Sequence, residues 1–315
     1  MTNELHVVLG ASGGAGNAIV HALADRGHSV RAVNRGGNAV VPSGVEQVAA
    51  DIADPAGAVT AVAGASVVYM AAQPAYHRWV EEFPAMLTNV VDAVAGANAR
   101  LIMVDNLYMY ARPTTLITEH SAEESNTRKG RVRTQMTQML RNAHSSGKVR
   151  VTIGRASDYF GPNGDNTAIT ALAIGPGVAG KGIKWMGSLD KRHSVGYLPD
   201  IGRAYAILGE SDSADGETWI LPHGLAPTGG EFLAAVNRAL PSPAKTGTIT
   251  QMMLRVAAPF NKPSKESVEL IYQWTDDFVA DDSKFQQEFG PFETTPLDEA
   301  VKTTVDWYRR QAAAS

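Results

Sequence analysis

A glycine-rich stretch near the amino terminus combines residue types and spacing that point to chemistry. The run "LHVVL" leads directly into "GASGGAG", which gives a G-x-x-G-x-x-G spacing. In such a turn the first glycine permits a tight bend, the second lets a pyrophosphate approach, and the third lets a helix pack closely on a strand. Phosphates then meet the N–H groups at the helix start, where the helix dipole favours anions. The predicted dinucleotide-binding residues of this turn are Gly10, Ser12, Gly13, Gly14, Ala15 and Gly16.

The same turn also fits the Gly-x-Ser-x-Gly pattern of a nucleophile elbow, in which Ser12 would be the attacking hydroxyl. An elbow of that kind follows several earlier strands, one of which supplies the loop that binds the oxyanion. Ser12 instead follows the first strand of the chain. Its position therefore favours the dinucleotide interpretation, and a glycine turn without a ligand is the remaining alternative.

The residue that contacts the adenosine ribose is expected at the end of the second strand, about 20 residues further along. That strand reads "HSVRAV" and is followed by Asn34 and Arg35, with no acid to accept a hydrogen bond from a ribose 2′-hydroxyl. Arg35, with Arg31, would instead pair with a 2′-phosphate through charge-assisted bonds. The sequence therefore favours NADP(H) over NAD(H), unless Arg35 is simply a solvated loop residue.

Two further strand ends carry residues that are expected beside the cofactor. "AADIADP" ends the third strand and places Asp51 and Ile52 around the adenine. "YMAAQP" ends the fourth strand, where the small residues Ala71 and Ala72 let the backbone run along the cofactor. Each pattern is also compatible with ordinary strand-end chemistry, so their order behind the glycine turn is what supports the dinucleotide site.

A regular alternation of strands and helices positions these residues and extends to about residue 156. Short apolar runs alternate with amphipathic stretches, a pattern typical of a parallel sheet covered on both faces. The predicted strands are LHVVL, HSVRAV, VEQVAA, SVVYMAA, RLIMV and VRVTIGRA, and the predicted helices span 16–26, 55–63, 79–97 and 130–146. The predicted fold class is therefore α/β, with a doubly wound parallel sheet.

The pattern changes after Gly161, where glycine and proline become frequent. "IKWMG" and "HSVGYLP" predict short strands, and "PDIGRAYAILGE" predicts a helix. Thr228 and Glu231 form a capping box for a helix at 231–240, and a last helix begins at Thr295 and Pro296. We expect a dinucleotide-binding domain at 1–160 and a smaller, mixed C-terminal substrate lobe at 161–315, interleaved with the first domain.

Composition narrows the class of protein. The 315 residues are 44% hydrophobic and include no cysteine, which excludes disulfides, thiolate catalysis and cysteine-ligated metals. The net charge of -4 comes from interspersed acids and bases, so no nucleic-acid partner is expected. No segment approaches the roughly 20 apolar residues that span a bilayer, and no signal peptide is evident. We expect a cytoplasmic protein with no membrane partner and, from the histidine spacing, no metal site.

Two later segments add to the dinucleotide motifs: "GRASDYFGP" and "HSVGYLPDIGRAYAIL". Together these motifs resemble the extended and atypical short-chain dehydrogenase/reductase family, which includes NAD-dependent epimerases and dehydratases. The first segment is similar to that family's Arg-x-x-x-x-Tyr-Gly-Pro, and the second to its later strand–Asp–helix unit. The resemblance covers nearly the whole chain and implies a Rossmann-type lobe followed by a substrate lobe.

The family's reaction uses a Tyr-x-x-x-Lys pair on one helix and a Ser or Thr after the fifth strand. No tyrosine of this chain has a lysine four residues later. The corresponding helix reads "RKGRVRTQM", which places Lys129 at the tyrosine position and Arg133 at the lysine position. Asp105 and Asn106 take the place of the serine. The resemblance implies that Arg133 holds the nicotinamide ribose as a cation.

Without that pair, either the proton donor has moved or the reaction needs no tyrosine. Tyr108 and Tyr110 lie near the carboxyl end of the fifth strand, where ligands of open α/β sheets bind. If strand alternation continues past Asn106, both face one side, with Tyr108 nearer the nicotinamide. We predict that Tyr108 donates the proton, Asn106 orients the substrate and Lys129 polarises the oxyanion. The alternative is that both tyrosines are packing residues with satisfied hydroxyls.

Other polar residues are weaker candidates. Tyr76, His77 and Trp79 follow the fourth strand and would either line the substrate cleft or pack in a lid. His193 would face the cleft only if its strand joins the substrate lobe, as the resemblance implies.

The leading hypothesis is an NADP(H)-dependent oxidoreductase that transfers a hydride to a small organic carbonyl or activated double bond. One alternative is an NAD(P)-dependent nucleotide-sugar epimerase or dehydratase, although sugar oxidation requires deprotonation of a hydroxyl and the usual pair is missing. Another is a non-catalytic NADP(H)-sensing regulator. The partner is a small-molecule substrate, and both monomer and homodimer remain open, because the helices from Trp79 and Gly130 often form a two-fold bundle in this family.

Overall fold

The computed structural model describes residues 4–112, 116–224, 226–260, 265 and 267–314. The chain divides into two compact units that interleave along the sequence. The first comprises Met1–Met109, Glu123–Ala156 and Ile201–Leu221, and the second comprises Tyr110–Ala122, Ser157–Asp200 and Pro222–Ser315. The predicted boundary at residue 160 lies near the passage after Ala156, but residues 201–221 return to the first unit because they complete its sheet and helical layer.

Eleven strands are present in the described part of the chain. They are β1 (Leu5–Leu9), β2 (Ser29–Asn34), β3 (Glu46–Ala49), β4 (Val67–Met70), β5 (Arg100–Asp105), β6 (Arg150–Arg155), β7 (Asp158–Phe160), β8 (Ile183–Met186), β9 (Val195–Tyr197), β10 (Thr218–Ile220) and β11 (Thr246–Ile249). The first unit holds a seven-stranded sheet in the order β10-β6-β5-β4-β1-β2-β3. Every neighbouring pair in it is parallel.

The helices of the described residues connect and cover these strands. They are α1 (Gly14–Asp25), α2 (Pro55–Val62), α3 (Trp79–Gly96), α4 (Arg128–Ser145), α5 (Gly175–Val178), α6 (Leu198–Glu210), α7 (Gly229–Ala239), α8 (Gln251–Ala257), α9 (Tyr272–Thr275), α10 (Ser283–Phe289) and α11 (Leu297–Ala314). A π-helical turn at Thr170–Ile174 leads into α5, and 3-10 turns occupy Tyr76–Arg78, Asp212–Ala214 and Val268–Leu270. The predicted doubly wound α/β fold is confirmed.

The strands of the large sheet are apolar because helices cover both faces. All four residues of β4 are buried, as are five of the six residues of β5. The strand order reverses between β1 and β4, so connections run to opposite sides at that point. Ligands of such sheets bind at the carboxyl ends of the strands beside the reversal. The turn after β1 and the segment after β4 therefore lie at the expected binding edge.

The second unit has its own small sheets and core. β11 pairs with β8 and β7 pairs with β9, each in parallel register. The buried aromatic residues of its core include Phe160, Trp185, Phe232 and Trp274. The capping box predicted for α7 is present, since Thr228 and Glu231 exchange side-chain and backbone hydrogen bonds. The predicted strand "HSVGYLP" is shorter than expected, because α6 already begins at Leu198.

In the described ranges no helix has the length and apolar character needed to cross a bilayer. The same residues contain no group of three or more His, Asp or Glu side chains that would hold a metal ion.

Candidate functional site

The glycine turn after β1 is packed so tightly that two of its glycines are required. Gly10 has a φ of +86°, and a Cβ there would lie 2.6 Å from the backbone nitrogen of Ala72. A Cβ at Gly16 would lie 2.3 Å from the carbonyl oxygen of Gly10. A Cβ at Gly13 would make only ordinary contact, at 3.5 Å from the same oxygen. Packing therefore explains Gly10 and Gly16, and leaves room above Gly13, the residue that caps α1.

The turn leaves polar backbone groups at the start of a long helix. Ser12 and Gly13 are exposed, and Gly14 and Ala15 are half-buried in the first turn of α1. The first N–H groups of a helix have no partner within it, so they are available to an anion. This geometry fits the phosphates of a dinucleotide.

The end of β2 lies beside the turn, since the N–H groups of Gly10 and Ala11 both donate to the carbonyl oxygen of Val33. Asn34 accepts a hydrogen bond from the backbone of Asn38 through its side-chain oxygen, at 3.3 Å. Arg35 follows, exposed to solvent, and it forms no ion pair with any residue in the described ranges. Its guanidinium is therefore open to an anionic ligand.

Arg31 is placed differently from Arg35. Its Nε donates to the Glu46 carboxylate at 2.9 Å, and its Nη1 donates to the carbonyl oxygen of Ala63 at 2.6 Å. These bonds hold the side chain at the strand surface. The suggestion that Arg31 assists Arg35 at a 2′-phosphate gains no support from this geometry.

The other predicted cofactor residues occupy neighbouring strand ends. Ala71 donates its N–H to the carbonyl oxygen of Leu9, so the end of β4 runs alongside the glycine turn. Asp51 is exposed and accepts a hydrogen bond from the backbone of Ala53 at 3.1 Å, whereas Ile52 is buried in the core. The structure thus brings the ends of β1, β2 and β4 together, and leaves the contacts of Asp51 and Ile52 with adenine as predictions.

The residues after β5 form a turn rather than an extension of the strand. β5 ends at Asp105, and the Asn106 side-chain oxygen accepts the N–H of Tyr108 at 3.0 Å. The alternation assumed for Tyr108 and Tyr110 therefore does not apply. Tyr108 is half-buried with its ring centroid 6.1 Å from that of Trp79. Tyr110 is 1% exposed and belongs to the second unit.

Lys129 lies in the first turn of α4 and is buried, with 2% of its surface exposed. Its Nζ is 4.2 Å from the ring centroid of Tyr76, an arrangement typical of a cation–π contact. α4 can approach this region because Gly130 has no side chain, since a Cβ there would lie 2.4 Å from the Tyr108 carbonyl oxygen.

Arg133 is one turn further along α4 and is 3% exposed. Its Nη1 donates to Asp105 at 3.0 Å, and its guanidinium carbon lies 4.4 Å from the Trp79 ring centroid and 4.6 Å from that of Phe83. Its Nε is buried and has no hydrogen-bond partner within the described part of the chain. Part of the guanidinium is thus committed to Asp105, and its contact with a ribose stays a prediction.

A second buried arginine shares the same carboxylate. Arg155 is fully buried, and its Nε donates to Asp105 at 3.2 Å while its Nη1 donates to Glu123 at 2.8 Å. Burial opposes ionisation of Glu123, but Arg155 and Arg141 outweigh that effect and hold the pKa of its carboxyl below the ordinary value. The segment before α4 is therefore tied to β6 by charged hydrogen bonds.

Two features of this region were not evident from the sequence. One is the ion-pair network of Asp105, Arg133 and Arg155, whose members are 28 and 50 residues apart along the chain. The other is the contact between Tyr76 and Lys129, since Tyr76 was assigned only to a cleft or lid. We refer to Tyr76, Trp79, Phe83, Tyr108, Lys129 and Arg133 as the cation–aromatic cluster. The spacing of Trp79 and Phe83, one helical turn apart on α3, is the one sequence signal for it.

Comparison with known proteins gives one family match. The model of the NAD-dependent epimerase/dehydratase family matches residues 6–221 of the chain. No curated protein sequence matches it significantly. Many solved structures do match it.

A nucleoside-diphosphate-sugar epimerase from Pseudomonas aeruginosa is 20% identical, with a TM-score of 0.76 over 98% of this chain and 99% of that chain. A UDP-glucuronic acid 4-epimerase from Bacillus cereus, in complex with NAD, is 15% identical, with a TM-score of 0.78 over 98% and 99% of the two chains. A double mutant of a dTDP-glucose 4,6-dehydratase from Streptomyces venezuelae, with NAD bound, is 16% identical, with a TM-score of 0.79 over 99% and 98%. At these identities the likeness is one of fold.

Proposed function

The chain belongs to the NAD-dependent epimerase/dehydratase family, and from that premise we propose that it is an NADP(H)-dependent oxidoreductase. Its substrate would be a small organic carbonyl or activated double bond, to which a bound NADPH supplies a hydride. The preference for NADP(H) rests on one observation. Arg35, directly after β2, is exposed and forms no ion pair among the described residues.

The backbone of the glycine turn supports dinucleotide binding. Gly13 is a glycine for which packing gives no reason, because a Cβ would have room there. A pyrophosphate bound at the start of α1 would explain the glycine, because the pyrophosphate would occupy the space that a side chain would fill. Gly10, Ser12, Gly14, Ala15 and Gly16 would complete the phosphate site.

The residues of α4 favour reduction over sugar oxidation. Oxidation of a sugar hydroxyl begins with its deprotonation, for which the family uses a tyrosine on this helix. Here Lys129 and Arg133 occupy those positions, and both are buried cations. Cations stabilise the negative charge that develops on a carbonyl oxygen as a hydride arrives. The candidates for the proton donor are Tyr76, whose ring lies beside Lys129, and Tyr108, whose ring lies near that of Trp79.

A second candidate function is that of an NAD(P)-dependent nucleotide-sugar epimerase or dehydratase. It is favoured by the structural neighbours, which include a UDP-glucuronic acid 4-epimerase and a dTDP-glucose 4,6-dehydratase. It requires another base in place of the missing tyrosine. A non-catalytic NADP(H) sensor would bind the cofactor without turning over either substrate class.

The first experiment is a fluorescence titration of NADPH and NADH with wild-type protein, Arg35→Ala and Arg309→Ala. We expect wild type to prefer NADPH, and Arg35→Ala to lose that preference by about 10- to 100-fold, since a hydrogen bond to a charged group contributes about 1.5–3 kcal/mol. Arg309→Ala removes the same charge from an exposed position on α11 and should leave the preference unchanged.

The outcomes separate the hypotheses. Equal affinity for the two cofactors in wild type would refute the NADP(H) assignment, and binding of neither would refute the dinucleotide function. Single-turnover oxidation of NADPH with a panel of small carbonyls and enones then tests the reaction. Turnover of nucleotide sugars with NAD(P)+, but none of that panel, would establish the epimerase or dehydratase instead.

We also propose that the protein acts in the cytoplasm on a small-molecule substrate, with no nucleic-acid or membrane partner. The interspersed charges and the absence of cysteine from the sequence support this setting.

A further inference from the structure

The position of Lys129 raises the question of what a buried cation does at the start of α4. The side chain is 2% exposed, and its Nζ lies 4.2 Å from the ring centroid of Tyr76. Tyr76 comes from another element, the 3-10 turn that follows β4. A tyrosine and a lysine thus meet across two elements of the first unit.

The ring of Tyr76 is held in place but not sealed from solvent. It contacts Trp79 edge to face, with centroids 4.9 Å apart. Trp79 is itself buried beneath the Arg133 guanidinium, 4.4 Å away. Tyr76 is half-buried, as expected of a group that exchanges protons with a ligand. It also follows Ala71 and Ala72 along the chain, at the edge of the sheet where the glycine turn lies.

We propose that Tyr76 and Lys129 form a proton-transfer pair, in which Tyr76 is the proton donor and Lys129 stabilises its phenolate. This inference rests on the proposed reductase function and names the acid of that same site. It replaces Tyr108, whose backbone is held in the Asn106 turn and whose ring lies against Trp79. The pair restores a tyrosine beside a lysine in a chain whose α4 carries no tyrosine.

The attraction between Lys129 and a phenolate of Tyr76 depends on distance and burial. An ammonium ion over an aromatic ring attracts its π-electrons, and it attracts the extra negative charge of a phenolate more strongly. Burial of the cation reduces the screening by water, so the interaction is stronger than at an exposed site. The neighbouring Arg133 is paired with Asp105, so Lys129 is the cation that acts on the Tyr76 ring. The phenolate of Tyr76 is therefore the tyrosine anion that this cluster favours.

The proposed proton transfer breaks one O–H bond and forms another. The phenolic O–H bond of Tyr76 breaks as an O–H bond forms on the substrate oxygen, and the electron pair stays on the phenolate, whose ring lies under the Lys129 ammonium. Water then returns a proton to the phenolate. In the net reaction the substrate gains this proton and a hydride, and NADPH is oxidised to NADP+.

A spectroscopic titration tests the pair without a substrate. Phenolate absorbance in the near ultraviolet is followed against pH for wild type, Tyr76→Phe, Tyr108→Phe, Lys129→Met and Lys129→Arg. We expect one tyrosine of wild type to ionise at lower pH than the rest. Burial raises the pKa of Tyr69, Tyr197 and Tyr308, so these three tyrosines do not contribute to an early step. The early step should vanish in Tyr76→Phe, persist in Tyr108→Phe and Lys129→Arg, and move to higher pH in Lys129→Met.

Cofactor binding by the same variants separates failure of the pair from failure of the proposed function. We expect Tyr76→Phe to bind NADPH within about twofold of wild type, yet to slow single-turnover NADPH oxidation by about 10²- to 10⁴-fold, as loss of a general acid does. NADPH binding without an early tyrosine, or with one that is lost in Tyr108→Phe, would overturn the pair alone. An early tyrosine in a protein that binds neither NADPH nor NADH would overturn the proposed function, and with it the proton-donor role.

Discussion

Arg133 and Arg155 are two buried cations that share one carboxylate, that of Asp105. Asp105 is 4% exposed and accepts hydrogen bonds from both, at 3.0 and 3.2 Å. Arg155 also contacts Glu123 and Thr137, whereas Arg133 otherwise lies against the rings of Trp79 and Phe83. A carboxylate at this position therefore fixes the guanidinium that faces the cation–aromatic cluster.

Removal of the Asp105 charge should be costly because both arginines stay buried. We predict that Asp105→Asn lowers the free energy of unfolding by about 3–5 kcal/mol, the usual cost of breaking a buried pair. The matched control is Asp92→Asn, which removes one partner of an exposed pair with Lys148 and should cost at most about 1 kcal/mol. Urea unfolding of the three proteins measures both values, and equal costs would contradict the importance of burial here.

His6 is a buried base that stays neutral, whereas Arg133 and Arg155 are buried as cations. It is fully buried in β1 beside Tyr69, and desolvation, with help from His28, lowers its pKa from 6.5 to about 4. The negative charge of Glu210 raises the pKa of His6, and the positive charge of Arg100 lowers it further. The folded protein thus keeps His6 neutral over a pH range in which the unfolded chain protonates it.

The sign of the resulting pH dependence follows from linkage. Between pH 6.5 and about 4 the unfolded chain binds the extra proton, so the contribution of His6 to stability is complete above that range and falls through it. We predict a loss on the order of 3 kcal/mol from this residue. Urea unfolding measured between about pH 7.5 and about pH 4 should show that the free energy of unfolding declines less steeply in His6→Gln than in wild type. His21→Gln, at an exposed position on α1, should keep the wild-type slope, and an unchanged slope in His6→Gln would refute the assignment.

At the scale of elements, the glycines of the strand–turn–helix unit at the amino terminus have different roles. Gly16 is needed for packing, and Gly13 is proposed to make room for the ligand. Gly16 contacts the Gly10 carbonyl so closely that a side chain would force the helix from the strand. Gly13 is exposed at the start of α1, where a Cβ would make only an ordinary contact. Substitutions at these two positions should therefore separate stability from ligand binding.

We predict that Gly16→Ala destabilises the protein by more than about 2 kcal/mol, as overpacking does, and that Gly13→Ala changes stability by less than about 1 kcal/mol. Gly13→Ala should nevertheless weaken NADPH binding, because its methyl group occupies the space of the pyrophosphate. Thermal unfolding and fluorescence titration measure the two effects. Unchanged NADPH affinity in Gly13→Ala would show that the phosphates do not lie above this residue.

Elements were predictable where local pattern reflects burial. β1, β4 and β5 read as apolar runs because both faces of their sheet are covered, and the capping box of α7 is contained in four residues. β10 was missed because three residues carry no periodic signal.

The candidate site was only partly predictable for the same reason. The glycine turn is local, so its spacing identifies it. The network around Asp105 joins residues far apart in sequence, and charged side chains normally indicate exposed positions. The meeting of Tyr76 with Lys129 likewise depends on how the segment after β4 packs against α4.

At the scale of the whole molecule, the residues proposed to hold the dinucleotide and to transfer the proton all belong to the first unit. That unit has a core built on the large sheet, and the second unit has a separate core rich in aromatic residues. The long helices α3 and α4 cover the first core with one face each and turn their other faces outward. What those outward faces carry decides whether two copies of the chain associate.

The outward faces are charged. α3 exposes Glu81 and Asp92, and α4 exposes Arg128, Arg131 and Arg141. A stable two-fold interface buries about 800 Å² per partner around an apolar centre, and exposed charge pairs contribute little once salt screens them. The single large apolar residue exposed on this part of α3, Val80, is 46% accessible and does not form such a centre among the described residues.

We therefore predict a monomer at physiological ionic strength. Light scattering during gel filtration should give a mass near 33.4 kDa at micromolar concentration, with and without NADPH. Because the two faces carry opposite charges, weak association is expected only at low salt, where screening is smaller. A dimer that persists as salt is raised would show that another surface, more apolar than the faces of α3 and α4, joins the two copies.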